Sequence, residues 1–542
     1  MLNVSWLCKN GALNGTLTTL LEKCKSMTEL KQIHSILITS GLSQEDPLLS
    51  GVLSFTALSS AGDVDYSRQV LMQLSSSRTY HWNTVIRGHA KGKNPSRCLS
   101  LLVDMLRRGV LPGHMTFPFL AKAVARLEEL EHGVSIHAHI AKFGFESDRF
   151  IVNSLIHMYA SCGDILTARK MFDGMTNRNS VSWNSMLDGY AKCGDMDSAR
   201  ALFDSMPERD VVSWSSLIDG YVKSGEHREA MALFDRMRCI GPKANEVTMV
   251  SVLCACAHLG ALEKGKIMHR YLVENKLPMT LMLQTSLLDM YAKCGAIEDA
   301  LAVFDTVPVN KTDVLIWNAV IGGLATHGFA EDALRLFDKM QRTRIKPDEI
   351  TYLCLLSACA HGGLVHEAWY FFECLDKHGM APKAEHYACM VDVLARAGRL
   401  EEAYQLVGQI PTEQTASMLG ALLNGCVNHR RLDIAEIIGM RLIELDPDHD
   451  GRYIGLSNIY AVVRRWDEAK VMRAAMEQRG VKKSPGLSFV EIAGTVHRFL
   501  AHDKTHPSSE EIYVMLHFIV NQVRPDADQE NEECYLYDLE DA

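Results

Sequence analysis

The chain has 542 residues, of which 47% are hydrophobic and 23% are charged, and its formal net charge is -10. This length is too great for one hydrophobic core, so we expect several packing units. The negative net charge argues against a protein that grips duplex phosphates over its whole surface, but it is compatible with a local basic groove. No run of residues is long and apolar enough to span a bilayer, and we expect no membrane partner.

Residues 1–13 contain a single charged side chain, Lys9, and no arginine. Organelle-targeting peptides are normally rich in arginine and serine, so this leader is a weak match to one. We interpret it as either a targeting segment or an unstructured or helical extension.

A short phrase that ends in Cys-Gly or a similar pair recurs along the chain. Its strongest copies start at Tyr159, Tyr190, Tyr221, Tyr291 and Leu324. A second phrase of the type Leu-Phe-Asp-x-Met follows each copy, and the steps between copies are 31, 33 or 70 residues, the last being two units of 35. A period in the thirties is typical of stacked helical repeats rather than of a globular enzyme.

Each repeat has the pattern of two helices joined by a turn. In residues 180–210, apolar side chains from Val181 to Tyr190 follow a 3.6-residue period, which predicts the first helix. Gly194 suits the left-handed backbone at a helix end, and Pro207 ends the second helix. The inward stripe of that second helix is predicted to be Ala199, Ala201, Leu202, Phe203 and Met206. One hairpin cannot bury both of its faces, so the copies must stack.

The phrases at residues 182–194 and 345–348, the second of which reads Ile-Lys-Pro-Asp, resemble the pentatricopeptide repeat family. The alternating unit lengths resemble its plant subclass, which cycles through P, L and S units. The resemblance implies that residues 14–415 form an all-α array, a right-handed α-solenoid superhelix of about 12 repeats. The tetratricopeptide repeat shares this length and is the alternative architecture.

The C-terminal part departs from this pattern. Residues 416–486 contain two hairpins that resemble the tetratricopeptide-like E motifs of the subclass, and residues 487–524 resemble its E+ extension. By this resemblance, contact with a partner protein falls to Pro485, Gly486, Ser488, Phe489 and Glu491. We expect the acidic tail, residues 525–542, to be disordered.

In many relatives the E+ extension leads into a cytidine deaminase, which needs His-x-Glu and Cys-x-x-Cys to hold zinc and move protons. This chain has one His-x-Glu, at His227, and none of its 15 cysteines forms a Cys-x-x-Cys. We therefore predict no metal site, no cofactor, no catalytic residues and no enzymatic activity.

The resemblance implies that a unit reads one RNA base with its fifth and its last residue. The base-reading pairs are Asn153 with Asn179, Asn184 with Asp210, Ser215 with Asn245, Thr285 with Asp313, and Asn318 with Asp348. The apolar second residues, which wedge between bases, are Phe150, Val181, Val212, Met282 and Leu315. The resemblance implies that the amino end of the array meets the 5′ end of the RNA, so the family's usual pairing rule gives the read sequence Y-U-A-n-G-U. Asn and Asp at these boundaries are also good helix caps, which is a purely structural explanation of each pair.

The resemblance thus implies a sequence-specific binder of single-stranded RNA in a plant organelle, which selects sites for C-to-U editing and recruits a deaminase from another chain. We expect the mitochondrion, with the chloroplast as the alternative. Two other functions stay open: stabilisation, splicing or translation of organellar RNA without editing, and a tetratricopeptide-like scaffold for proteins.

Overall fold

A computed structural model of the chain describes residues 12–43, 45–74, 77–410, 414–483, 486–492, 495–500 and 504–523. Most of the predicted leader and all of the predicted acidic tail lie outside these residues. The first fifteen helices are α1 (Ala12–Lys23), α2 (Met27–Thr39), α3 (Asp46–Leu58), α4 (Val64–Met72), α5 (Thr79–Lys91), α6 (Arg97–Arg107), α7 (Thr116–Leu127), α8 (Leu130–Lys142), α9 (Arg149–Ser161), α10 (Ile165–Asp173), α11 (Ser180–Lys192), α12 (Met196–Ser205), α13 (Val211–Lys223), α14 (His227–Ile240) and α15 (Glu246–Leu259).

The remaining helices are α16 (Leu262–Glu274), α17 (Leu281–Lys293), α18 (Ile297–Asp305), α19 (Val314–Thr326), α20 (Ala330–Gln341), α21 (Glu349–Gly362), α22 (Val365–Lys377), α23 (Ala384–Arg396), α24 (Leu400–Gln409), α25 (Ala416–Asn428), α26 (Leu432–Leu445), α27 (Asp450–Val462), α28 (Trp466–Gln478) and α29 (Ser509–Val523). A short 3-10 helix covers Val309–Lys311. In the described part of the chain, no helix is long and apolar enough to cross a membrane.

The chain divides into two compact units after Val252. In the first unit, the odd-numbered helices from α1 to α13 pack side by side, each against the next odd-numbered one. In the second unit, the same holds from α17 to α27. The odd-numbered helices are the first helices of the repeats, so each unit is a stack of helical hairpins. This confirms the predicted all-α solenoid.

Close contacts between first helices explain why the hairpins stack. A Cβ added to Gly220 would lie 2.8 Å from the Cβ of Ala191, and one added to Gly323 would lie 2.6 Å from the Cβ of Ala292. Real Cβ atoms do not approach so closely, so only glycine allows the two helices this separation. The glycine in one repeat and the alanine in the preceding repeat therefore fix the distance between the two repeats.

Aromatic pairs fill the space between a second helix and the next first helix. The ring of Trp183 lies 5.0 Å from that of Phe172, and the Phe203–Trp214 and Phe304–Trp317 pairs are both 4.9 Å apart with their rings near perpendicular. This edge-to-face arrangement is favoured by the ring quadrupoles. In these three repeats the Phe of the recurring phrase is thus the partner of a tryptophan in the following repeat, and Phe337 packs against Tyr352 instead.

The hairpin at 180–210 agrees with its prediction except at one position. Gly194 adopts φ +75, and α12 ends at Ser205, before Pro207. Ala201, however, is exposed, whereas Ala199, Leu202 and Phe203 are buried. The buried residues follow the 3.6-residue period, and Ala201 lies on the opposite side of the helix from Ala199.

The C-terminal part begins with the hairpins α25/α26 and α27/α28, whose core continues that of α23 and α24 through Leu422, Leu442 and Tyr453. It ends in a two-stranded antiparallel hairpin, β1 (Leu487–Ile492) and β2 (Thr495–Leu500), followed by α29. Leu487 pairs with Leu500 and Ile492 with Thr495. The predicted E and E+ regions therefore differ in structure: the first is helical, and the second opens with strands.

Candidate nucleic-acid interface

The second, fifth, ninth and thirteenth residues of a repeat lie three or four positions apart, so they share one face of the first helix. In α11 these residues are Val181, Asn184, Asp188 and Lys192. Val181 is exposed, Asn184 is half-buried, and the Lys192 ammonium lies 2.7 Å from the Asp188 carboxylate. This face thus combines an apolar, an amide and a cationic side chain in a line.

The predicted wedge residues are exposed apolar side chains in both compact units. Phe150, Val181, Val212, Met282 and Leu315 have exposed fractions between 49% and 57%. Three second residues of other units share this feature and were missed from the sequence, namely Tyr80, Val247 and Ile350, which are 58%, 51% and 52% exposed. Their position in the repeat was the signal that would have found them.

The fold brings four of the five predicted base-reading pairs together. The Asn184 amide donates to both carboxylate oxygens of Asp210 at 3.1 and 3.2 Å, and the Asn318 amide donates to Asp348 at 2.9 Å. Asn153 donates to Asn179 at 3.5 Å, and the Ser215 hydroxyl donates to Asn245 at 3.4 Å. Each pair links one first helix to the start of the next, so residues 26 or 30 positions apart in the sequence come into contact.

The pair of Thr285 and Asp313 differs from the other four pairs. The Thr285 hydroxyl donates to the carbonyl oxygen of Leu281 in its own helix at 2.8 Å, and among the described residues no hydrogen bond links it to Asp313. In the other pairs, the third residue of the following unit carries a hydroxyl next to the pair. Beside Thr285 and Asp313 this residue is Ile316, which has no hydroxyl to hydrogen-bond with the pair.

These third-position hydroxyls were not singled out from the sequence. The Ser182 hydroxyl donates to Asn179 at 2.9 Å, and the Thr351 hydroxyl donates to Asn318 at 2.6 Å. Ser215 and Thr248 share a hydrogen bond of 2.7 Å. A hydroxyl at this point holds the reading side chain in one orientation, and the recurrence of Ser or Thr at the third position was its sequence signal.

Each last residue of a pair also caps the following helix. The side-chain oxygens of Asn179, Asp210, Asn245, Asp313 and Asp348 accept backbone N–H groups three residues on, at 2.9 to 3.1 Å. The structural explanation of the Asn and Asp pattern is therefore correct. It does not exclude base reading, because an oxygen has more than one lone pair.

The surroundings of these pairs keep the Asp210 carboxylate ionised and leave two amide oxygens without a hydrogen-bond donor. Partial burial acts to raise the pKa of Asp210, but hydrogen bonds from Ser213 and Asn184 outweigh it and hold that pKa below its usual value. In the described part of the chain, the buried Oδ1 atoms of Asn153 and Asn184 have no hydrogen-bond partner. A buried amide oxygen without a donor is costly, so both atoms are suited to accept one from a ligand.

Cations end this face in several repeats, and each is paired with an acid on the same helix. Lys192, Lys223, Lys293 and Arg396 lie 2.6 to 2.9 Å from Asp188, Asp219, Asp289 and Asp392 respectively. Exposed pairs of this kind contribute little to stability. Their shared position instead places one cation, beside its acid, at the end of this face in each of these repeats.

The predicted E+ contact residues lie at the start of the strand hairpin. Gly486 and Ser488 are exposed, Phe489 and Glu491 lie on β1, and Pro485 falls outside the described residues. The following helix exposes several large apolar side chains, including Val514 at 72% and Phe518 at 58%. Among the described residues, no three His, Cys, Asp or Glu side chains are grouped as metal ligands would be.

Comparison with known proteins gives consistent matches along the chain. The model of the PPR repeat matches residues 80–110, 150–180, 181–211, 285–308, 350–380 and 385–413. The model of the PPR repeat family matches residues 209–258 and 312–361, and that of the E motif matches residues 429–491.

Several proteins of Arabidopsis thaliana are similar over almost the whole chain. A pentatricopeptide repeat-containing protein is 61% identical over 519 residues, which covers 96% of this chain and 97% of the relative. A second such protein, named as chloroplastic, is 40% identical and covers 94% of this chain and 91% of its own length. A third, named as mitochondrial, is 35% identical with coverages of 94% and 90%. The crystal structure of the maize pentatricopeptide repeat protein PPR10 matches with 16% identity and a TM-score of 0.43, covering 89% of this chain and 75% of that protein.

Proposed function

Because this chain belongs to the pentatricopeptide repeat family, we propose that it binds single-stranded RNA in an organelle and reads one base per repeat. Membership of the family confirms the resemblance seen in the repeat phrases, and it agrees with the prediction that the chain is not an enzyme. Proteins of this family use two or three side chains per base. The read sequence expected from the reading pairs is Y-U-A-n-G-U.

The observation that carries this proposal is the contact between fifth and last residues across successive first helices. Asn184 and Asp210, for example, are 26 positions apart and meet at 3.1 Å. A base placed at this contact would meet both side chains together. Each repeat would then supply one separate reading position.

The chemistry of the pairs suits different base edges. The unpartnered Oδ1 of Asn184 is an acceptor for the N–H of a uracil ring, and Asp210, held ionised by its low pKa, can only accept. At Ser215 the small hydroxyl leaves room for a purine, and the Asn245 amide can both donate and accept. We therefore assign uracil to the Asn184 position and adenine to the Ser215 position.

The rest of the first-helix face supports a nucleic-acid strand. Exposed apolar second residues such as Val181 are suited to stack between successive bases. Cations such as Lys192 lie further along the same face, near the expected path of the phosphates. Binding through them will weaken as salt is raised.

We further propose that the protein directs C-to-U editing by recruiting a deaminase from another chain. The supporting observations are the E-motif match and the exposed apolar side chains of α29, a surface suited to a protein partner. The mitochondrion is our preferred location, and the chloroplast is the alternative. Normal editing of every organellar cytidine after loss of the protein would favour the RNA-stability, splicing or translation roles instead.

The base assignment is tested by changing one reading residue that also caps a helix. Asn245→Asp preserves the cap, since Asp accepts the same N–H, but it replaces an amide that donates and accepts with an acceptor. We expect the preferred third base of Y-U-A-n-G-U to change from A to G, by about tenfold in relative affinity. Titration of the purified full-length chain against the two RNAs measures this.

Asp148→Asn is the matched control for that experiment. Asp148 caps α9 in the same way, accepting from Phe150 at 2.8 Å, but its fifth-position partner is Pro118, which has no amide to read with. This variant should leave base preference unchanged. Absence of binding to any RNA at low salt would instead favour the protein-scaffold function.

A further inference from the structure

The turn between the two helices of most repeats contains a left-handed residue, and the E motifs place arginine there. The fifteenth residue is glycine in eight units, with φ between +61 and +82. In α25/α26 and α27/α28 the same position is occupied by Arg430 and Arg464, with φ +54 and +63. A side chain at positive φ is strained, so both E motifs keep an arginine where glycine would be favoured.

The residues beside these arginines already have structural roles. Arg431 forms ion pairs with Glu401 and Asp433, and Arg465 binds Glu436 at 2.8 Å and Glu468 at 2.6 Å. Arg431 and Arg465 thus link their hairpins to neighbouring acids. In contrast, Arg430 and Arg464 are exposed, and no acidic side chain in the described ranges pairs with either. Their charges are not needed to hold the hairpins together.

The change in charge on the first helix points the same way. In the repeat array, the ninth and thirteenth residues form acid–cation pairs such as Asp289 with Lys293 and Asp392 with Arg396. In the E motifs the ninth residues are Asn424 and Asn458, both exposed and uncharged, and the thirteenth residues are Asn428 and Val462. The E motifs therefore carry a cation at the fifteenth position and have neither the ninth-position acid nor the thirteenth-position cation of the array.

From these observations we infer that Arg430 and Arg464 form a two-site contact for the phosphates of an RNA strand that continues beyond the last base-reading unit. The two arginines are 34 residues apart, which matches the repeat length, so each E motif offers one cation at the same point of its turn. A strand held at one nucleotide per repeat presents one phosphate per step. The inference rests on the proposed function, because it requires RNA in the reading units.

The register of the repeats predicts where this contact falls. Two units, 349–383 and 384–415, separate the last reading unit from the first E motif. Arg430 and Arg464 therefore meet the third and fourth nucleotides after the last read base. An RNA that ends two nucleotides beyond the core reaches neither arginine, and one that extends five nucleotides reaches both.

The test compares the full-length chain with Arg430→Gly/Arg464→Gly on three RNAs: the core alone, the core with two further 3′ nucleotides, and the core with five. Glycine suits the left-handed turn, so the double variant loses the charges without loss of the fold. We expect its affinity for the five-nucleotide extension to fall about tenfold, with a salt slope lower by about 1.4, since each single-strand phosphate contact contributes about 0.7. Binding to the two shorter RNAs should not change.

Glu128→Gly is the matched control, because it relieves a positive-φ residue at the same position of an L unit without removing a cation. It should bind all three RNAs as the parent does. An unchanged salt slope for the double variant on the longest RNA overturns the inference and leaves the arginines to an acidic protein partner. Failure of the parent to bind even the core RNA would refute the proposed function itself, which is a distinguishable result.

Discussion

The repeat array and the E motifs use the same hairpin but present different chemistry on it. In both, a first-helix glycine packs on an alanine of the preceding unit, since a Cβ added to Gly323 or Gly425 would lie 2.6 Å from Ala292 or Ala395. The exposed face differs: Leu315 is exposed and apolar at the second position, where the E motifs have Ser417 and Gly451. Stacking and recognition are therefore carried by separate sides of one helix.

This separation explains how the chain can extend its solenoid past the reading units. The buried pattern of α25 to α28 is enough to continue the core, as Leu422 and Tyr453 show. Because the two E motifs have no apolar second residue, they have no side chain there on which an RNA base could stack, although each is still a complete hairpin. The comparison predicts that variants on the buried side of a first helix will lower the stability of the fold, and that variants on its exposed side will lower RNA affinity.

The largest expected effect comes from two residues of α19 that lie two positions apart. Trp317 is fully buried and its indole donates to Thr312 at 3.1 Å, whereas Leu315 is 57% exposed. Trp317→Ala should lower the free energy of unfolding by about 4 kcal/mol. Leu315→Ala should leave it unchanged but reduce RNA affinity about tenfold through lost stacking. Chemical denaturation and RNA titration of both variants measure this, and loss of stability in Leu315→Ala would contradict the separation.

A smaller effect tests whether successive hairpins pack on each other in the same way in the repeat array and in the E motifs. Gly323→Val and Gly425→Val each force a side chain into a contact that excludes a Cβ, so each should cost about 2 kcal/mol of unfolding free energy. Gly420→Ala is the control, because its added Cβ would meet only the end of the Arg452 side chain at 3.4 Å. Thermal unfolding followed by circular dichroism reports all three. A much smaller loss at Gly425 would show that the E motifs stack by other contacts.

The smallest effect concerns the turn. Gly295→Ala places a Cβ at φ +81 and should cost about 1 kcal/mol of unfolding free energy, whereas Arg464→Gly relieves φ +63 and should gain up to about 1 kcal/mol. The two variants thus exchange the turn chemistry of the array and of the E motif. Matched denaturation curves give the sign, and destabilisation by Arg464→Gly would show that the arginine stabilises its turn.

Much of this architecture could be predicted from the sequence because it depends on local patterns. The 3.6-residue period gave the helices, and Gly194 and Pro207 marked the turn and the end of a hairpin. The reading pairs came from the family resemblance, and their contacts depend on how one unit sits on the next. Periodicity within a repeat carries no information on that register, so the recurring Ser or Thr at the third position did not reveal the contact that Thr351 makes with Asn318.

The arginines at the E-motif turns were missed for a different reason. A glycine in a turn is a recognised signal, but an arginine at the same position resembles any other surface cation. Only the backbone angle of Arg464 reveals that it replaces a glycine. The exposure of Tyr80 and Val247 was missed although their second position in the repeat signals it, because each lies near a buried tryptophan or methionine on the same helix.

The double duty of the last residue in a reading pair restricts how this protein can evolve. Asp210 accepts the N–H of Ser213 at the start of α13, so side chains with an oxygen close to the backbone are favoured there. Capping thus favours Asp, Asn, Ser and Thr at that position before any base is considered, although Arg78 and Lys383 occupy it in two other repeats. Exchanges among these four preserve the helix and alter the base, so specificity for a transcript can drift by single substitutions while the solenoid stays intact.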